Sequence, residues 1–446
     1  MRYDLVVRSQ RTVLPGGEVA AALAVKDGQI EAVEEYDARL QAASEQDLGR
    51  LALLPGLVDT HVHVNEPGRT DWEGFAAATA AAAAGGVTTI LDMPVHSLPP
   101  TVSADALAAK RAAADGQCAV DVGFWGGVRP GNLAELAQLH DAGVLGFKCF
   151  LADCGPRDAA IGLLALDRAA LRAAFIEVAR IGTGTVLAVH AEQASEIGHA
   201  SGPAYGAFLA SRPPRAERRA IESVVAAAAA AGARAHIAHL SAAECVALIA
   251  GAKAAGIALT AETCPHYLFF AAEEVPDGAT QFKCCPPIRD AINREALWRG
   301  LEGGTIDCVV SGHSPCPPEL KGPAGDFGAA RGGISSLQLS LPAVWTVARR
   351  RGHRLADVIG WMAQRPAALA GLPRKGKLAV GCDADLVAFD PDAAFTVRAA
   401  QLLHRHHLTP YEGRVLVGAV RAVWLRGEPI AADAAPRGRL IARGSA

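Results

Sequence analysis

The sequence predicts an α/β protein, a (β/α)8 barrel accompanied by a small β-sandwich domain that both chain ends form. Two features of the 446-residue chain predict this fold. Its middle part alternates apolar, strand-like runs with Ala-rich helical segments, whereas both ends contain short β runs separated by turn residues. We expect residues 1–54 and 371–446 to form the sandwich domain and residues 55–370 the barrel. A doubly wound parallel sheet is the competing α/β architecture.

Eight strand candidates support the barrel, because eight β/α units without a break in composition are typical of that fold. The candidates are Gly56–His63, Gly86–Pro94, Ala119–Val128, Val144–Leu151, Thr185–Glu192, Arg234–Ser241, Ile257–Leu268 and Ile306–Pro315. Helices are predicted between them, for example over Glu73–Ala84 and Pro214–Ala231, each followed by a glycine that can terminate it. Near the amino end, Asp27-Gly28 between two apolar runs predicts a β-hairpin.

The composition argues against several classes of partner. A formal net charge of −3 gives no reason to expect nucleic acid or an anionic membrane surface. Hydrophobic residues make up 51% of the chain, so a large core is available. The amino end does not have the pattern of a signal peptide, and no apolar run is long enough to span a bilayer. The ten cysteines are scattered without metal-binding spacing, which favours reduced thiols and a cytoplasmic location.

The most informative short motif is Asp59-Thr60-His61-Val62-His63 at the end of an apolar run. Side chains alternate faces along a strand, so His61 and His63 are expected on one face. Two neutral imidazoles there can hold two corners of a divalent metal, although a short His-x-His can also arise by chance at an edge strand.

The other strand ends carry further reactive side chains, and in barrel enzymes the site is built at these ends. The candidates are His96, Lys148, His190, His236, His239, His266 and His313. Lys148 lies in the middle of an apolar strand, where a charged ammonium is costly unless it is paired or neutralised. A neutral amine can add carbon dioxide and become a carbamate that bridges two metals. A salt bridge to Asp59 or Glu192 is the equally acceptable alternative.

These motifs belong to a longer pattern, and over essentially its full length the chain resembles the cyclic amidohydrolases of the amidohydrolase superfamily. That group includes dihydroorotases, dihydropyrimidinases (hydantoinases) and allantoinases, and the resemblance is strongest to the allantoinases. The segments that carry it are 62–75, 85–89, 146–151, 283–289 and 408–414.

The resemblance implies a binuclear metal site and a reaction. His61 and His63 would bind one divalent metal, His190 and His239 the other, and carbamylated Lys148 would bridge them. Zinc is expected, with cobalt, manganese or iron as alternatives that the same donors accept. A metal-bridging hydroxide would open the ring amide of allantoin to give allantoate, a step of purine catabolism. His236 is interpreted as structural, and the resemblance suggests a homotetramer.

One position in the sequence bears on the charge of the substrate. Dihydroorotases carry an arginine soon after the His-x-His, which pairs with the substrate carboxylate. Asn65 stands at that position and cannot form the charge-assisted, bidentate hydrogen bonds that an arginine makes to a carboxylate. This favours a small neutral cyclic amide as the substrate. Allantoin fits this expectation, and hydantoins or dihydropyrimidines are less clearly excluded. Cys285, within the 283–289 segment, is the second candidate for substrate binding.

The eighth strand departs from the family pattern. Gly312 stands where the family has an aspartate that ligates the first metal and transfers the proton, and losing a general base costs about 10²–10⁴ in rate. Three hypotheses follow: an allantoinase in which His96 or His313 takes over, an impaired homologue that acts as a metal-binding or assembly subunit, or a related hydrolase with another substrate. His96 itself replaces the usual asparagine and is equally well interpreted as a loop residue. A non-enzymatic structural partner is the remaining class.

Overall fold

The computed structural model describes residues 2–153, 164–182, 184–322, 325–431 and 435–444. Its strands in chain order are β1 Tyr3–Leu14, β2 Gly17–Lys26, β3 Gln29–Glu35, β4 Ala42–Asp47, β5 Ala52–Pro55, β6 Leu57–Val62, β7 Val87–Asp92, β8 Asp121–Phe124, β9 Gly126–Gly127, β10 Phe147–Phe150, β11 Val186–His190, β12 Arg234–Ile237, β13 Leu259–Thr263, β14 Cys308–Val309, β15 Leu386–Thr396, β16 Val415–Leu425 and β17 Glu428–Pro429.

The α-helices of the described residues lie mainly between the barrel strands. In chain order they are α1 Phe75–Ala84, α2 Ala104–Ala114, α3 Leu136–Asp141, α4 Arg168–Ile181, α5 Tyr205–Ser211, α6 Pro214–Ala231, α7 Val246–Ala254, α8 Pro265–Phe269, α9 Ala291–Glu302, α10 Ser340–Arg350, α11 Leu355–Ile359 and α12 Arg365–Leu369. None of the helices in the described ranges combines the length and the apolar character needed to cross a bilayer.

The barrel is built from parallel strands. β6, β7 and β8 form one run, and β9 to β14 form the other in sequential order. β8 and β9 together supply the third strand position, and Leu145 N donates to Phe124 O at 3.0 Å where the two runs meet. On the other side Val62 and His313 form a bridge, and His63 N donates to His313 O at 2.8 Å. The predicted (β/α)8 barrel is confirmed.

Both chain ends contribute to one sheet, with the order β17-β16-β15-β5-β1-β2-β3 and β4 paired to β1. The hairpin predicted from Asp27-Gly28 joins β2 and β3, and both of its residues have the positive φ that such a tight turn requires. Apolar side chains of both ends, among them Leu5, Leu53 and Trp424, share one buried cluster. The β-sandwich domain from both ends is therefore confirmed as a fold feature, while the domain boundaries stay a prediction.

Three strand predictions extend four residues or more past the observed carboxyl ends. The predicted Ile257–Leu268 strand is wrong beyond Thr263, because Pro265 begins α8, where its missing N–H costs nothing. Arg234–Ser241 and Ile306–Pro315 are likewise shortened, to β12 and β14. In each case the chain leaves the strand where it enters the rim of the barrel.

Candidate functional site

The end of the first barrel strand carries His61 and His63. Both imidazoles are buried, and their ring centroids are 5.5 Å apart. His61 Nδ1 is hydrogen-bonded to the Glu262 carboxylate, whereas His63 Nδ1 has no hydrogen-bond partner among the described residues. Because the carboxylate engages one ring nitrogen of His61, the other nitrogen, Nε2, is left to bind a ligand.

His190 and His239 form a second pair at the ends of the fifth and sixth strands. His190 Nδ1 lies 2.9 Å from His239 Nε2, so one nitrogen of each ring faces the other. His190 Nε2 lies 3.0 Å from Glu192 Oε2, and that carboxylate also pairs with Arg212 at 2.5 Å. Burial would raise the pKa of Glu192, but Arg212 and His190 outweigh it and lower the pKa to about 2. The glutamate is thus ionised and orients its histidine.

Lys148 lies close to both pairs. Its side chain is only 1% exposed, and Nζ is 5.6 Å from the centroid of the Phe150 ring. The rings of His61 and His239, one from each pair, are 5.2 Å apart. Burial first, and then neighbouring charges that include Lys148, lower the pKa of each of the four imidazoles.

These donors fit a divalent metal. A metal ligand must be the neutral imidazole, and the lowered pKa values favour that form at neutral pH. His63 Nδ1 and His239 Nδ1 are buried polar atoms without a hydrogen-bond partner in the described part of the chain, so the pocket holds unused donor capacity. Four buried imidazoles beside a buried lysine suit borderline metals such as zinc.

A cavity of about 590 Å³ opens over this group at the carboxyl ends of the barrel strands. The predicted site residues that line it are His61, His63, His96, Lys148, His190, His239, Cys285 and Gly312. It is also lined by Arg212, Cys264, His266, Lys283 and Arg331. The residues that the sequence assigned to two metals therefore converge in one place.

Two predicted residues lie elsewhere. His313 is fully buried behind the rim, where Ser336 N donates to its Nδ1 at 3.2 Å and its Nε2 is 3.4 Å from Glu73 Oε1. Asn65 is 1% exposed, and its Nδ2 is 3.4 Å from Pro315 O. Neither side chain is among those that line the cavity. Both therefore support the rim structurally, and the position of His313 does not fit the base role that we considered for it.

His96 does line the cavity, and its ring centroid is 4.7 Å from that of His63. Arg331 donates to His96 Nδ1 at 2.9 Å, and its guanidinium also lies 4.5 Å from the centroid of the Trp72 ring. His96 is thus part of the site, joined to the segment that carries Arg331.

Gly312 has a φ of +58°, in the left-handed region. A Cβ at this position would lie 2.7 Å from Cys264 Sγ and 3.6 Å from His266 Cε1. The space next to residue 312 is therefore already filled by a thiol and bordered by an imidazole, both from the end of the seventh strand.

Glu262 is the main functional residue that the sequence did not reveal. Besides His61, its carboxylate lies 2.9 Å from His236 Nε2 and accepts from His239 N at 3.2 Å. Burial raises its pKa, but His61 and His236 outweigh that and lower it. The sequence feature that could have indicated Glu262 was a carboxylate inside an otherwise apolar strand.

The described residues also include two tight groups of side chains able to hold an ion, one of them His236, Glu262 and Cys308.

Fold and site together define a hydrolase class, and comparison with known proteins agrees. The sequence profile of the amidohydrolase family matches residues 52–430, and the chain belongs to that family. The predicted cyclic amidohydrolase is confirmed.

The individual relatives are more specific. The chain is 53% identical over 447 residues to an allantoinase of Streptomyces avermitilis, covering 99% of both chains. It is 43% identical over 442 residues to an allantoinase of Arabidopsis thaliana, covering 94% of this chain and 87% of the relative. Among solved structures, an L-hydantoinase (dihydropyrimidinase) from Arthrobacter aurescens matches with a TM-score of 0.91 and 32% identity, over 99% of this chain and 100% of the other. The resemblance to allantoinases is confirmed.

Proposed function

We propose that this protein hydrolyses the ring amide of allantoin to give allantoate, as a metal-dependent enzyme of purine catabolism. The observation that carries the proposal is the convergence of four buried imidazoles and Lys148 in one cavity. The identity to allantoinases supports the choice of allantoin over hydantoins and dihydropyrimidines. Asn65 gives weaker support for a neutral substrate than the sequence suggested, because its side chain does not line the cavity.

Each residue has a proposed role. His61 and His63 would hold the first metal, His190 and His239 would hold the second, and Lys148, as a carbamate formed with carbon dioxide, would contribute to both. Two bound divalent ions, which we expect to be zinc, would lower the pKa of water and polarise the substrate carbonyl. Glu262 and Glu192 orient His61 and His190 through hydrogen bonds.

We propose the carbamate rather than the salt-bridge alternative because the resemblance to the cyclic amidohydrolases implies it. Glu192 is paired with Arg212 and His190. Asp59 accepts from His61 N at 3.0 Å and Ser311 N at 2.9 Å, and burial raises its pKa to about 6 despite these bonds. A neutral amine beside divalent metals is the form that adds carbon dioxide. We further propose a homotetramer and a small neutral substrate, as the resemblance implies.

Gly312 affects the proton transfer of the proposed reaction. Without a carboxylate at residue 312, the cavity has to supply another group to receive the proton from water and return it to the leaving nitrogen. Of the two histidines considered for this role, His96 lines the cavity and His313 does not. His96 therefore carries the hypothesis of an active enzyme, because without any general base the rate would fall by about 10²–10⁴.

A metal count combined with an allantoin assay tests the proposal. The protein is loaded with zinc in bicarbonate buffer, metals are counted by mass spectrometry, and turnover is measured for the wild type and Gly312→Asp. We expect two metals per chain and measurable turnover by the wild type. A carboxylate at residue 312 should raise turnover by at most about 10²–10⁴, and Gly312→Asp/Cys264→Ala is measured beside Gly312→Asp because the new Cβ would lie 2.7 Å from Cys264 Sγ.

Gly304→Asp is the matched control, because Gly304 also has a positive φ, of +72°, but faces open space. It should leave metal content and turnover unchanged. A wild type with two metals and no turnover, activated by Gly312→Asp, would establish the impaired homologue instead. No metal and no turnover in either protein would overturn the proposed function.

A further inference from the structure

The rim of the seventh strand carries a buried histidine that the proposed mechanism does not use. His266 is 2% exposed and lines the cavity. Its Nδ1 has no hydrogen-bond partner among the residues that the structure describes. A buried imidazole nitrogen without a hydrogen-bond partner is costly, so such an atom in a native site calls for an explanation.

His266 lies where the side chain of residue 312 would end. Its Cε1 is 3.6 Å from the position that a Cβ on residue 312 would take. Cε1 is the carbon between the two ring nitrogens, so the part of the ring next to both donors is the part nearest to this position. A carboxylate at residue 312 would extend into the same region, so the ring borders the place of the missing ligand.

His266 lines the same cavity as His61 and His63. A cavity-lining imidazole with a ring nitrogen that has no partner among the described residues has the properties of a metal ligand.

We propose that His266 is a ligand of the metal held by His61 and His63, in the role that residue 312 cannot fill. The inference rests on the proposed metal-dependent function. The first metal then has three imidazoles and the Lys148 carbamate. The first metal would therefore be retained although residue 312 supplies no carboxylate ligand. The general base that this carboxylate would provide is still missing.

The other candidates for this role fit less well. His313 is turned away from the cavity towards Glu73 and Ser336. His96 already accepts from Arg331 through Nδ1. Cys264 is nearest to the vacated position, but burial raises the pKa of its thiol well above the usual range, so the neutral thiol fills space there.

The test is a double-mutant cycle read out by metal binding. Zinc stoichiometry and affinity are measured for the wild type, His266→Ala, Gly312→Asp and the double variant, with competing chelators. We expect His266→Ala to weaken one of the two sites by about 10²-fold or more. Gly312→Asp would place its Cβ 2.7 Å from Cys264 Sγ, so the cycle is also run with Cys264→Ala in that background. There the same change should weaken the site less than about tenfold, because the carboxylate then holds the ion. An equal loss in both backgrounds, or no loss in either, would overturn the inference.

The spectrum of the cobalt-loaded protein identifies the donor. We expect His266→Ala to change the visible d–d bands of one of two Co²⁺ ions, with no thiolate charge-transfer band in the near ultraviolet. A thiolate band that Cys264→Ala removes would overturn the proposal and assign the role to the cysteine. His199→Ala, which changes another, exposed histidine of the cavity, is the control and should change neither readout.

Two measurements distinguish a folding defect, a failure of the proposed function and a failure of the ligand role of His266. Thermal melting of the metal-free variants detects a folding defect, in which case His266→Asn, closer in size and polarity, replaces the alanine variant in the cycle. A wild type that binds no metal refutes the proposed function itself. A wild type that binds two metals, with binding that does not depend on His266, refutes only the ligand role of His266.

Discussion

Lys148 is a buried amine among four buried imidazoles, and its chemistry decides whether the two metals share a ligand. As a carbamate it would provide an anionic oxygen to each ion. As a plain ammonium it would repel both of them, since like charges a few ångströms apart in a partly desolvated site are costly.

We predict that Lys148→Ala loses most of its bound metal, and that acetate or propionate partly restores it. The alanine leaves a space of about the size of a short carboxylic acid, which can supply the missing oxygens. Metal content with and without the acid is the measurement. The acid should have no effect on the wild type, and an unchanged metal content in the variant would refute the carbamate.

At the scale of single residues, the sequence predicted the four imidazoles and Lys148 because each one ends or occupies a recognisable strand. It did not reveal Glu262, and it named His266 at a strand end without a role. Both roles depend on partners distant in the chain, His61 about 200 residues from Glu262 and Gly312 46 residues from His266. His313 was expected near the cavity because it comes at the end of the eighth strand. That expectation fails because β14 already ends at Val309 and the chain turns at Gly312.

Among the elements, helix α6 has a direct effect on the site. Its Glu217 reaches the segment that follows the sixth strand and accepts from Ser241 N and Ala242 N, both at 2.9 Å. The same carboxylate pairs with Arg289 at 2.7 Å. The segment that carries His239 is thereby fixed by a helix rather than by a strand.

We predict that Glu217→Ala lowers the free energy of unfolding of the metal-free protein by about 3–5 kcal/mol. It would leave the buried Arg289 charge and two backbone N–H groups without their acceptor. Chemical denaturation measures the loss, and metal retention at the His190–His239 pair should fall with it. Glu222→Ala, an exposed change on the same helix, should stay within about 0.5 kcal/mol. Equal stability of the two variants would contradict the role of Glu217.

The elements themselves were largely predictable, because their periodicity is local. Pro214–Ala231 matches its prediction at both ends, helped by a proline at its first turn and Gly232 after its last. The rim segments were not predictable in the same way. There the apolar pattern continues past the strand, as in Cys264 to Leu268, although the backbone has already begun a helix.

At the scale of the whole molecule, a buried ion network connects the barrel to the sandwich sheet. Lys375 Nζ lies 2.7 Å from Asp121 of β8 and 2.7 Å from Asp385, just before β15, with Asp383 at 3.0 Å. Arg426 of the sheet's carboxyl side also binds Asp121, at 2.8 Å. Burial would lower the pKa of Lys375, but the three carboxylates outweigh it and raise the pKa.

We predict that Lys375→Met lowers the free energy of unfolding by about 3–5 kcal/mol, because it leaves buried carboxylates without their cation. A raised folded-state pKa means that this contribution is fully present below the ordinary value of 10.5 and is lost only above it. The difference from the wild type should therefore be the same at pH 7 and pH 9 in chemical denaturation. A difference that disappears between these two pH values would refute a charged Lys375, and the half-buried Lys377→Met should cost about 0.5 kcal/mol or less.

The order of strands in the shared sheet has a consequence for biosynthesis. β5 pairs with β15, as in Leu54 with Val387, although more than 300 residues of chain lie between them. While the ribosome is still making the barrel, the edge of β5 has no neighbour on that side, and an apolar strand edge is a template for association with other chains. Release of the carboxyl end removes this hazard. Truncation before β15 should therefore yield aggregates rather than a folded barrel, and slow completion of the last strands would extend the nascent chain's need for chaperones.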